Sequence, residues 1–238
     1  LNRNDVVKIV VKRHPEIIPY LHKAIRFIAA VSNPATKTEG AYFMQIWKRV
    51  KELYNGEISE GDFADAMARI VQEQLTKAFR AALRDSELDP NLVNEAGEGF
   101  ADELEQMILD EYDFVDGLAS DIVSAAGSDS GYESFRSRAE IWANRYNDAY
   151  NTAMMIIGEQ YNNNMIWEYG DTEHCDTCQR LNGIVMSARE WDELGVRPQD
   201  PPNDLLECGG WRCGCTLSPT DKRRSPKAYD TVLNIVSK

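Results

Sequence analysis

Apolar residues recur at three- and four-residue spacing through the first two thirds of the chain, a pattern that predicts successive helices. Residues 1–13, with their VVKIVV run, read as a short strand or an extended arm. A first helix follows, with Pro15 in its opening turn and Ile17, Ile18, Leu21, Ile25 and Ile28 as its stripe. Asn33-Pro34 ends it. A second helix, over about 38–54, buries Tyr42, Phe43, Ile46, Trp47, Val50 and Leu53 and stops at Asn55-Gly56. The third opens on a capping-box pattern, Ser59-x2-Asp62. It repeats Phe63, Met67, Ile70, Gln74, Ala78 and Ala82 as far as about Arg84.

A looser stretch holding Pro90, Gly97 and Gly99 leads into the fourth helix. Phe100, Leu104, Met107, Ile108, Val115, Leu118 and Ile122 share one of its faces, and Gly117 is a place for it to kink or split. The turn cluster 127–131 follows, and Ser130-x2-Glu133 is expected to cap a fifth helix running to about Tyr161. Phe135, Trp142, Tyr146, Ala149, Ala153 and Ile156 form its inward face; aromatic residues at this spacing are core.

At Asn162-Asn163-Asn164 the pattern changes. MIWEY, GIVM and CTL read as three strands, with a short helix from Ser187 to Leu194 opened by Ser187-x2-Glu190. The expected fold class is mainly α, a multi-helix body followed by a small α+β zinc-knuckle module. The expected divisions are a basic arm with helices (1–56), the helical body (57–164), a Cys-rich module (165–219) and a basic tail (220–238). The tail is expected to be a mobile strap or a docking segment.

The module holds all five cysteines, Cys175, Cys178, Cys208, Cys213 and Cys215. Cys-x2-Cys, 29 intervening residues and Cys-x4-Cys-x-Cys is the layout of a split metal knuckle, in which two turns each supply half of a tetrahedron. Gly209 and Gly210 suit a chain that wraps closely around an ion. A disulfide framework is the weaker reading, because the cysteine count is odd and no run like a secretory signal opens the chain. Residues two apart on a strand face opposite sides. The expected zinc ligands are therefore Cys175, Cys178, Cys208 and one of Cys213 and Cys215. His174 directly precedes Cys175, so a supporting or solvated role suits it better than ligation. A module of about 55 residues cannot hold itself together by apolar burial alone, and a structural zinc would supply the missing stability.

Composition narrows the function. The net charge is −13, distributed unevenly. Residues 1–52 carry ten Lys and Arg against four Asp and Glu; residues 85–135 carry fifteen acidic residues and no Lys or Arg; residues 222–238 carry five basic against one acidic. A body of this charge is unsuited to wrapping DNA, so little direct nucleic-acid binding by it is expected. No run of 18 apolar residues exists, and no membrane span is expected. The chain has no His-Glu-x2-His, no deaminase pattern, no Walker-A or dinucleotide glycines. Its histidines are His14, His22 and His174 alone. Asp102-Glu103 and Asp110-Glu111 read as solvated pairs. With thiols to close the metal shell, no enzyme is expected, and a metal-dependent hydrolase rests on the cysteines alone.

The stretch resembles the C-terminal signature of the phage Mu F-like minor head (head morphogenesis) proteins. The residues that carry the resemblance are Trp167, Asp171, Cys175-x2-Cys178, Leu181, Gly183, Pro201-Pro202, and Cys213-x-Cys215 running into Thr216-Leu217-x-Pro219. The preceding RAEIWANRYNDAYNTA (138–153) also matches, and the likeness spans roughly residues 50 to 220. One departure is that the family's usual histidine before its Cys-Arg-Cys is Gly210 here, and the arginine is Gly214; Cys208 would take the histidine's place as ligand. The resemblance implies a non-enzymatic minor capsid protein, inside the virion near the portal, made in the host cytoplasm and acting in assembly or genome delivery. Its implied partners are the portal protein, the major capsid protein or a scaffolding protein. The alternative is a zinc-ribbon module binding nucleic acid through Trp211, Arg212 and the basic tail.

Overall fold

The computed structural model describes residues 39–86, 97–127, 131–161, 163–169, 174–211 and 214–237. The arm and helix expected before residue 39 lie outside them. Helix α1 (Glu39–Tyr54) buries Tyr42, Ile46, Trp47, Val50 and Leu53. It stops where Gly56 takes a φ of 70°, which lets Glu57 N–H reach back to the carbonyl of Glu52. Helix α2 (Glu60–Asp85) opens on the expected capping box. Ser59 Oγ accepts from Asp62 N–H at 3.1 Å, and Asp62 accepts from Ser59 N–H at 3.2 Å.

Helix α3 (Gly97–Ala125) runs unbroken through Gly117, contrary to the expected kink or split. No Cβ-sized neighbour crowds Gly117, and helical hydrogen bonding continues past an exposed glycine at only a modest propensity cost. The fifth predicted helix begins later than its capping pattern suggests. A 3-10 turn, Tyr132–Phe135, comes first, and α4 (Arg136–Gln160) starts from Phe135 with no side-chain cap.

Helices α1, α2 and α3 pack on one another, and all three pack on α4. After it come β1 (Asn164–Glu168), α5 (Asp176–Leu181), β2 (Val185–Ser187), α6 (Ala188–Glu193), β3 (Thr216–Thr220) and α7 (Ala228–Val236). The strands form one antiparallel sheet in the order β2-β1-β3, with Met165 opposite Met186 and Pro219. This is a helical body with a small α+β module carrying a cysteine cluster.

The module lies against the other side of α4 through α6 and β3. Helix α4 is therefore covered on nearly every face, and even its Asn144, Asn147, Asp148, Asn151 and Thr152 are buried. Gly158 makes the close approach possible: a Cβ there would lie 2.6 Å from Met165 Sδ and 2.9 Å from Ala188 Cβ. One continuous apolar core extends from Tyr42 to Ile235.

The tail is not a loose strap. Ser225 brackets β2, its N–H donating to the Val185 carbonyl and its Oγ accepting from Val185 N–H. Arg224 grips the Glu190 carboxylate, and α7 buries Ala228, Val232 and Ile235 against α5 and β2. The reason lies in its own pattern: AYDTVLNIV repeats apolar residues at helical spacing, which outweighs the flanking basic charge.

Candidate metal centre

Cys175 and Cys178 are set by the start of α5. Cys175 is its N-cap, in extended conformation (φ −71°, ψ 163°), and its Sγ accepts from the N–H of Cys178 at 3.5 Å. Leu181 anchors the other end of the short helix in the core. Gly183, with φ 80°, turns the chain so that its N–H donates to the Trp167 carbonyl in β1.

Cys208 comes from a second set of turns, one of which Gly209 N–H closes onto the Leu206 carbonyl and another Trp211 N–H onto the Cys208 carbonyl. Gly210 (φ 78°) is required there, because a Cβ would lie 2.9 Å from the backbone carbonyl of Asp200. Reciprocal hydrogen bonds join the two sets of turns. Asp176 N–H donates to Glu207 Oε2 at 2.9 Å, and Glu207 N–H donates to Thr177 Oγ1 at 3.3 Å.

The outcome is that the Sγ atoms of Cys175, Cys178 and Cys208 all lie within 4.8 Å of one another. Three ligands on a tetrahedral zinc with bonds of about 2.3 Å stand about 3.8 Å apart, so this donor set fits one metal ion with only a small contraction. The sulfurs are thiols rather than disulfides. Cys178 is fully buried, while Cys175 and Cys208 are half-buried.

Cys215 is not one of the three sulfurs that all lie within 4.8 Å of one another. It is buried at the head of β3, its Sγ 3.4 Å from Nδ1 of His174, and its carbonyl accepts from the buried Gln199 at 2.8 Å. His174 stacks on Tyr169 at 4.1 Å between ring centroids, and its carbonyl accepts from Gln179. Cys213 lies outside the described residues, as do Asp171, Arg212, His14 and His22.

A second polar cluster corrects the sequence reading. Asp102, Glu103 and Asp110 are exposed, but Glu111 is buried. Its Oε1 pairs with Arg145 Nε at 2.8 Å; Arg145 Nη1 pairs with Asp148 at 2.9 Å and reaches the carbonyl of Pro201 at 3.4 Å. The signal was in the pattern: Leu104, Ile108, Glu111, Val115 and Leu118 follow one another at three- and four-residue steps, which places Glu111 in the core stripe. Burial pushes the Glu111 and Asp148 carboxyls up to about 7, against the attraction of Arg145. Burial also opposes the charge on Arg145, but Glu111, Asp148 and Asp200 hold its pKa above the ordinary value.

Chemically, the thiol cluster, built on two cross-linked turns, is one that could hold a metal ion. The Glu111–Arg145–Asp148 group is an ion-pair network tying α3 and α4 to the proline span of the module. Compared with known proteins, the chain matches no family model and shows no significant similarity to a curated protein or to a solved structure.

Proposed function

We propose that this protein is a structural minor component of a phage or prophage head whose Cys-rich module is held together by one zinc ion. The observation that carries the metal part is the convergence of Cys175, Cys178 and Cys208 within 4.8 Å. When bound, zinc cross-links two turns that are distant in sequence and contributes directly to folding. The fourth place is left to one of Cys213 and Cys215, and Cys215 Sγ lies 3.4 Å from Nδ1 of His174. A four-thiolate shell is closed and serves structure rather than turnover.

Support for the head-protein reading is the motif resemblance around Trp167, Cys175-x2-Cys178 and Cys213-x-Cys215, together with an acidic body that is poorly suited to binding DNA. In this reading the body's partners are head proteins, the portal first among them. The direct test is co-expression with a phage portal protein, followed by isolation of assembled portal rings. Stoichiometric co-purification is the expected result. Rings that never retain the chain, while it binds duplex DNA tightly at moderate salt, would replace this reading with the nucleic-acid one.

A further inference from the structure

Three large apolar side chains of the described surface converge on one place. Phe114 on α3 is 60% exposed, Ile141 on α4 37%, and Trp211, three residues past Cys208, 37%. They rim a groove of about 270 Å³ whose deeper side is formed by the buried Leu118 and Trp142. Single exposed apolar residues are ordinary; three around one concave site, bounded by charge, are the mark of a docking surface.

Helical spacing explains how the groove arises. Glu111, Phe114, Leu118 and Asp121 share one face of α3, and Arg138, Ile141, Trp142 and Arg145 share one face of α4. Ion pairs bridge the two antiparallel faces at both ends, Arg145 to Glu111 and Arg138 to Asp121. The groove's cations are thus already engaged by its own carboxylates. Helix α3 has no Lys or Arg, and its exposed Asp110 and Asp113 lie within one turn of Phe114. The surplus charge at the rim is negative.

We propose that this groove docks a basic amphipathic segment of a partner protein. An apolar anchor of the segment enters between Phe114, Ile141 and Trp211, and flanking Lys or Arg side chains face the carboxylates of α3. Apolar anchors supply affinity in this mode of recognition, and charge complementarity supplies orientation and selectivity. The proposal depends on neither the bound metal nor the head-protein reading, so it can fail while both stand.

The test uses the full chain and a labelled peptide of Leu and Lys patterned to make one apolar helix face. Two controls accompany it, a Leu/Glu peptide of the same pattern and a Lys/Ser peptide of the same charge. The Leu/Lys peptide is expected to bind, the controls at least about tenfold more weakly. Phe114→Ser and Ile141→Ser, both at exposed positions, should each weaken binding about fivefold or more with an unchanged melting curve. Asp113→Lys should weaken it most at low salt. Equal binding of the Leu/Glu peptide, or wild-type affinity in both apolar variants, overturns the proposal. So does carbodiimide cross-linking of the chain alone that joins lysines of residues 1–38 to Asp110 or Asp113 and resists the peptide, since the occupant would then be the chain itself. Dimerisation abolished by Phe114→Ser would overturn it likewise, in favour of a second copy.

Discussion

Cysteines that are near in sequence differ in what their sulfurs meet. Cys175, Cys178 and Cys208 face one another, whereas Cys215 faces His174. We therefore expect Cys178→Ser and Cys208→Ser to abolish tight zinc binding. Retention of about one equivalent by Cys215→Ser, read by metal analysis of protein purified without added zinc, would leave the fourth place to Cys213. Metal loss in Cys215→Ser equal to that in Cys178→Ser would give it to Cys215. The buried carboxylates make a separate prediction. With folded values near 7 against ordinary values near 4, Glu111 and Asp148 hold protons in the folded chain that the unfolded chain has released. Their contribution to stability is therefore full below pH 4 and is lost as pH rises through 7. At about 1.4 kcal/mol for each pH decade, each amounts to at most roughly 4 kcal/mol across that window. Glu111→Gln and Asp148→Asn, which keep an oxygen for Arg145, should flatten urea-unfolding stability between pH 5 and 7.5 relative to the unsubstituted chain. Identical slopes would show that neither carboxyl is shifted.

At the scale of elements, α4 carries the architecture, because body and module are packed on opposite sides of it. Its contact with the sheet depends on Gly158. Gly158→Ala gains helix propensity of about 1 kcal/mol, but the new methyl overlaps Met165 Sδ and Ala188 Cβ, and overpacking costs about 1–3 kcal/mol. The steric term should win. The expected outcome is a net loss of stability, and a rise in melting temperature would show that the sheet yields easily. By contrast, Ser59→Ala removes one half of an exposed capping box and should cost only about 1 kcal/mol, without touching the metal centre. Helix α7 behaves as a closing element rather than a tether. Val232→Asp should loosen the module, because this fully buried position in the continuous core has no room for a charge.

For the whole molecule, the shared core decides how metal and fold are coupled. Helical body and Cys-rich module join one apolar cluster through α4, so removing a metal proposed to sit at the thiols should reach beyond their turns. We expect chelator to lower the stability of the entire chain, seen as earlier loss of helical circular dichroism on heating. A helical transition that ignores chelator while the module's tryptophans become exposed would mean that the two parts unfold separately. The acidic surface of α3 also acts at this scale. It disfavours phosphate along the body and, at the groove beside Phe114, favours a basic protein segment.

Helix identity and the start of α2 were legible in the sequence because they rest on local physics: apolar period, side-chain caps and glycine turns. The same holds for Ser187-x2-Glu190 opening α6, and for three strands separated by turns. The cysteine spacing likewise announced thiols brought together on tight turns, since such pairs are local features. What needed the tertiary structure was everything that depends on which faces meet. The tail's five basic residues hid an amphipathic helix whose apolar side has a partner only once β2 and α5 are assembled. Helix α4 showed one apolar face in sequence, yet its polar face is buried as well, because a second layer lands on it. Glu111 looked solvated beside Asp110, but the fold buries it against Arg145, 34 positions away in the chain. Of the five cysteines, only the folded chain separates Cys215 from the three that converge, because spacing sets how far a sulfur can reach and the fold sets where it points.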